Sequence, residues 1–197
     1  SEIVMDAMFR DNNLSKNDAH GGKFSLSASG PDALIILNSS FQGNTIRKNG
    51  NSGLYFVESA TNGGSCITSP DLGGGASGST GGNTLVLNDD EYSTGAEYDL
   101  RVEADDAISA QDNWWVVLTD AEVLLQGPPF LESQFERHIF HFNDTPSSGL
   151  VDISDYHLGA LLFDPNPERV IGDGQHSITL TARPGSAFSP GSGVEPT

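Results

Sequence analysis

Apolar residues fall along this chain in short alternating stretches. Ile35 and Leu37, Leu54 and Phe56, Leu85 and Leu87, and Leu100 and Val102 are each separated by one residue. A spacing of two places such residues on one face of an extended strand. Phe41 and Ile108 sit in runs of the same kind, and Asn, Gly and Ser close each run, as turn formers do. No segment before Trp115 combines helical spacing with capping residues. The pattern predicts an all-β chain of many short strands.

The strands recur. Met5 to Phe24 aligns without gaps to Leu37 to Phe56, an offset of thirty-two residues. Phe9 then meets Phe41, Asn12 meets Asn44, Lys16 meets Lys48, Asn17 meets Asn49, Gly21 meets Gly53 and Phe24 meets Phe56, with Leu14 facing Ile46. A unit of this length cannot bury a core alone, so repetition at this period implies stacked rungs, a solenoid. Gly82-Asn83-Thr84-Leu85 repeats the turn Gly43-Asn44-Thr45-Ile46, and Asn113 again precedes apolar residues. Side-chain amides stacked one rung apart can hydrogen-bond along the stack and satisfy turn backbone. Asn12, Asn44, Asn83 and Asn113 are the predicted ladder.

A family resemblance rests on four ordered motifs: Pro70-Asp71-Leu72-Gly73-Gly74-Gly75-Ala76, Gly81-Gly82-Asn83-Thr84, Tyr98-Asp99-Leu100, and Ile108 to Trp115 ending in Asn113-Trp114-Trp115. Together they resemble the closing rungs of secreted bacterial and archaeal right-handed parallel β-helix repeat proteins. The likeness extends through Ile139 to Pro146 and Gly149 to Asp152, with Val116 and His141 as departures. It implies a right-handed parallel β-helix of about three to four rungs with a C-terminal capping region, at the cell surface or outside the cell. It also implies that residues 62–82, which by Gly and Ser content alone read as a flexible linker, belong to a rung.

On this reading residues 1–118 are the rungs. Residues 119–182 form a cap, with a short helix after Pro128-Pro129 running to Phe142 and an edge strand at Ser177 to Thr181. Residues 183–197, rich in Pro, Gly and Ser, are a linker or tail. An open N-terminal rung would be continued by upstream rungs of a longer chain or by a neighbouring subunit, with filament formation as one result.

Charge narrows the function. There are 27 acidic residues against 9 Lys and Arg, a net charge of −18. Such a chain repels phosphate backbones and anionic lipid, which argues against nucleic acid. Its apolar runs are too short for membrane insertion. A single cysteine, Cys66, forbids an internal disulfide.

Candidate chemistry is sparse. The Asn-Thr-Asp, Gly-His-Gly and Arg-x-Lys strings of β-helix hydrolases do not occur. A lyase would need acidic residues around Ca²⁺ and a base beside a uronate, and Asp89, Asp90 and Glu91 with Arg101 are the nearest set. No catalytic residue is assigned. Asp89 to Glu91, or Asp105 with Asp106, offer oxygens that suit Ca²⁺, the one cofactor the chain suggests. His138 and His141 lack partners at zinc spacing. Adjacent Trp114 and Trp115 point to opposite faces of a strand, one toward the core and one outward as a candidate glycan contact. The expected function is a non-catalytic extracellular or cell-surface module with a structural, adhesive or assembly role. The alternative is a polysaccharide-binding or lyase-like β-helix.

Overall fold

The computed structural model describes residues 1–86, 88, 98–115 and 138–158. The expected edge strand at 177–181, the tail at 183–197, Val116 and the acidic turn Asp89 to Glu91 lie outside the described residues. Among the described residues fourteen strands follow one another in sets of three. The first rung is β1 (Glu2–Arg10), β2 (Asn13–Ser15) and β3 (Gly22–Ser29), and the second is β4 (Leu34–Gln42), β5 (Thr45–Arg47) and β6 (Ser52–Thr61). The third is β7 (Ser65–Gly73), β8 (Thr84–Val86) and β9 (Tyr98–Glu103). The fourth is β10 (Ile108–Ala110), β11 (Trp114–Trp115) and β12 (Ile139–Phe140), while β13 (Val151–Asp152) and β14 (His157–Leu158) open a fifth.

Every third strand joins the same sheet. The orders are β1-β4-β7-β10-β13, β14-β11-β8-β5-β2 and β12-β9-β6-β3, and their pairings are parallel. Chain that pairs in parallel with itself one circuit later climbs as a parallel β-solenoid. The first two rungs match throughout at the predicted register, Phe9 on Phe41, Leu14 on Ile46 and Phe24 on Phe56.

Beyond residue 118, the described strands β12, β13 and β14 join the three sheets. Of the helix expected from Pro128 to Phe142, residues 138–142 are described, and Ile139–Phe140 is strand β12 beside Leu100 and Arg101. Ile139 supplies one buried side chain per rung, as a strand residue does, which a two-residue pairing achieves without helical spacing. Among the described residues there is no helix.

Inside, like stacks on like. The rings of Phe9 and Phe41 lie 4.7 Å apart and nearly parallel, those of Phe24 and Phe56 5.0 Å apart, and Phe24 meets Phe41 edge-on at 5.5 Å. Ile46, Leu54, Leu72, Leu85, Leu100, Val102, Ile108 and Trp115 complete this core. A second, smaller cluster of Leu26, Ala28, Leu37 and Cys66 fills the space where the long strands run past the triangular section.

Candidate functional site

The turns explain the asparagines. Each predicted ladder residue follows one in the left-handed region: Asp11 (φ 53°), Gly43 (φ 64°), Gly82 (φ 72°) and Asp112 (φ 55°). That conformation ends the strand and suits Gly and Asp. The next residue's amide then points inward. Asn12 donates from its backbone and side chain to Asn44 Oδ1 at 3.0 and 3.1 Å, Asn44 to Asn83 Oδ1 at 3.0 and 2.8 Å, and Asn83 to Asn113 Oδ1 at 2.9 and 2.8 Å. The second Nδ2 hydrogen of each inner member reaches a carbonyl, Phe9 O for Asn44 and Phe41 O for Asn83.

A second ladder stands at the next corner. Asn17 donates to Asn49 Oδ1 at 3.1 and 2.8 Å, Asn49 to Asn88 Oδ1 at 2.7 Å, and Asn88 to Asp99 Oδ1 at 3.0 and 2.8 Å. Gly21 and Gly53 leave room for it, since a Cβ there would come within 2.7 Å of Asn49 Nδ2 or 2.8 Å of Asn88 Nδ2. The sequence pairs Asn17 with Asn49 but hides the rest, because the stack passes from Asn88 to a residue only eleven positions later. Asp99 is buried, its Oδ2 finds no hydrogen bond, and burial pushes its carboxyl up to about 6 against the pull of Asn88.

The glycine-rich stretch is ordered by one carboxylate. Asp71, buried, accepts from the Gly73 and Gly75 N–H groups through Oδ1 and from Ser79 N–H through Oδ2, each at 3.0 Å. Ser79 in turn donates to Phe41 O at 2.6 Å. These bonds make residues 73–79 a folded loop of the third rung.

On the outer face of the third sheet a polar and aromatic column crosses four rungs. Lys23 pairs with Tyr55, Tyr55 with Arg101 and Arg101 with Phe140. Lys23 Nζ lies 4.8 Å and the Arg101 guanidinium 5.0 Å from the Tyr55 ring centre, and Arg101 lies 5.4 Å from Phe140. Glu103 accepts from the Tyr55 hydroxyl at 2.7 Å and is ion-paired with Arg101. Burial works to raise the Glu103 carboxyl, but these two donors outweigh it and hold it low. Burial and the Glu103 bond push the Tyr55 phenol up, and burial with Lys23 and Arg101 keeps His20 low. Arg101 is thus committed within this column.

Trp115 is 1% exposed and belongs to the core. Trp114 is half-buried, and along the sheet its position is in register with Thr84 and His157. His138 and His141 are buried, and His141 Nδ1 accepts from Val151 N–H at 3.1 Å. Asp105 and Asp106 sit in the turn between β9 and β10, where they meet a residue the sequence did not single out, Glu58 on β6. No family model, curated protein or solved structure matches the chain.

Proposed function

We propose that the chain is a non-catalytic extracellular or cell-surface module, a right-handed parallel β-helix with a structural, adhesive or assembly role. The hand follows from the general rule that parallel crossover connections turn to the right. One observation carries the assembly role: the outward edge of the first rung. No described strand pairs with the outer edges of β1, β2 and β3. Ile3 and Met5, in register with Ile35 and Leu37, are exposed, as are Val4 and Met8 on the opposite side of the same strand. Asn12 and Asn17 each donate to the second rung, and their own Oδ1 atoms stand where Asn44 and Asn49 accept from the first. The matching partner is a parallel rung with a donor amide at each ladder position, supplied by preceding chain or by a neighbouring subunit.

Sedimentation velocity over a wide concentration range tests this. The expected result is association of the isolated chain that weakens in Met5→Lys, because a charge on the exposed edge blocks pairing. A monodisperse, folded monomer at every concentration would overturn it. The Lys23, Tyr55, Arg101 and Phe140 column favours a second reading, carbohydrate binding, since aromatic rings beside hydrogen-bonding cations suit sugars. Incubation with acidic and neutral glycans separates the two. Retention lost in Tyr55→Ala supports binding, and unsaturated or reducing products would make the module an enzyme.

A further inference from the structure

The third rung leaves β6 without a partner partway along. Its register with β9 runs from Ser52 on Tyr98 to Val57 on Glu103, where β9 ends and the chain turns through Ala104, Asp105 and Asp106. Strand β6 continues to Thr61, so its next residue, Glu58, faces that turn. One carboxylate oxygen from each of Glu58, Asp105 and Asp106 lies within 4.8 Å of the others. Beneath them is Thr68 of β7, 0% exposed, whose backbone N–H donates to Asp106 Oδ2 at 3.0 Å.

Two oxygens at this point, Glu58 Oε1 and the Thr68 hydroxyl, are shielded from water and have no hydrogen-bond partner of good geometry. Buried oxygens are normally satisfied, and one left over calls for a ligand. The Thr68 hydroxyl stands beside the Glu58 carboxyl and draws it downward, while burial, a contact with the Asp105 carboxyl and the charges of Asp106 and Asp105 push it up.

We propose that Glu58, Asp105 and Asp106, with the Thr68 hydroxyl, form a binding site for a hard divalent cation, with Ca²⁺ favoured over Mg²⁺. Ca²⁺ tolerates irregular mixtures of carboxylate, hydroxyl and water, whereas Mg²⁺ demands near-ideal octahedral geometry and gives up its own waters reluctantly. The ion ties β6 and β7 to the turn that leads into the fourth rung, so its place is structural.

The test is isothermal titration of the whole chain with CaCl₂, paired with thermal unfolding in EDTA, CaCl₂ and MgCl₂. Calcium is expected to bind and raise the melting temperature, with a smaller effect of magnesium at the same concentration. Asp105→Asn, a change at an exposed position, should weaken calcium binding at least tenfold while the far-ultraviolet spectrum stays that of the parent. Thr68→Val, of nearly equal volume, should weaken it severalfold. Two outcomes overturn the proposal. In one, calcium gives neither heat nor a thermal shift while Glu58→Gln raises the melting temperature unaided, the mark of carboxyls sharing a proton. In the other, calcium binds equally well to Asp105→Asn and Glu58→Gln, which moves the ion elsewhere on the acidic surface.

Discussion

Asn44 accepts two hydrogen bonds at Oδ1 and donates two from Nδ2, all within the interior. Its truncation leaves the Asn12 donors and Phe9 O without this partner, while the Asn83 oxygen keeps the Asn44 backbone N–H, and each buried loss costs about 1 to 3 kcal/mol. Asn44→Ala is therefore expected to lower unfolding free energy by about 3 kcal/mol in urea titrations, whereas Asn12→Ala, at the exposed end of the same stack, should cost about 1 kcal/mol. Asp99 gives a pH signature. Its folded-state pKa of about 6 exceeds the ordinary 3.8, so between those values the folded protein holds a proton that the unfolded chain has released. Stability from this group accordingly falls as pH rises through that window and is level above it. Asp99→Asn keeps the acceptor for Asn88 and removes the titration. The variant should lose less stability than the parent across the window and, at about pH 8, be more stable than the parent by roughly 3 kcal/mol. Equal pH profiles for the two proteins would show that Asp99 ionises freely. The sequence betrayed the first ladder because Asn44 and Asn83 share a Gly-Asn turn and Asn12 aligns with Asn44 at the repeat spacing, but it hid Asp99, a carboxylate standing where the pattern asks for an amide.

Among elements, the glycine-rich loop after β7 is the least obvious from composition. Nine residues, Gly74 to Gly82, mostly Gly and Ser, cannot hold a shape by packing, and three N–H groups converging on Asp71 supply what packing does not. Asp71→Asn leaves one acceptor oxygen for three donors. Limited proteolysis is expected to cut the variant between Gly73 and Gly82 while the parent resists, with a loss of about 2 kcal/mol or more in global stability. An uncut variant would mean the loop is held by other contacts. The strands of the first two rungs were legible because their phenylalanines, leucines and glycines repeat at one spacing, 32 residues. Later rungs blur, since the ladder's next steps are 39 and 30 residues. Strands β12, β13 and β14 have two residues each, too few to show alternation, and only their partners identify them. The meeting of Glu58 with Asp105 and Asp106 was invisible for a related reason, since it depends on where β9 stops rather than on any spacing.

At the scale of the molecule, the parallel sheets give the solenoid two unlike ends, and the ladders sharpen the difference. Each amide hands its hydrogens toward the later rung and turns its oxygen toward the earlier one, in both stacks. Aligned amides polarise one another, so each stack behaves as a small dipole chain along the axis. The first rung is its oxygen end. One stack terminates in the Asp99 carboxylate, which the arriving N–H dipoles favour as an anion although burial outweighs them. Two copies related by a twofold axis through the first rung would bring acceptor against acceptor at Asn12 and Asn17, with no hydrogen between them. Symmetric dimers through that face are therefore disfavoured, and the proposed assembly would be vectorial: it would require a heterologous contact in which the incoming rung has the same polarity as the last. The direction of any fibre built from this module is thus written in the orientation of a few carboxamide groups.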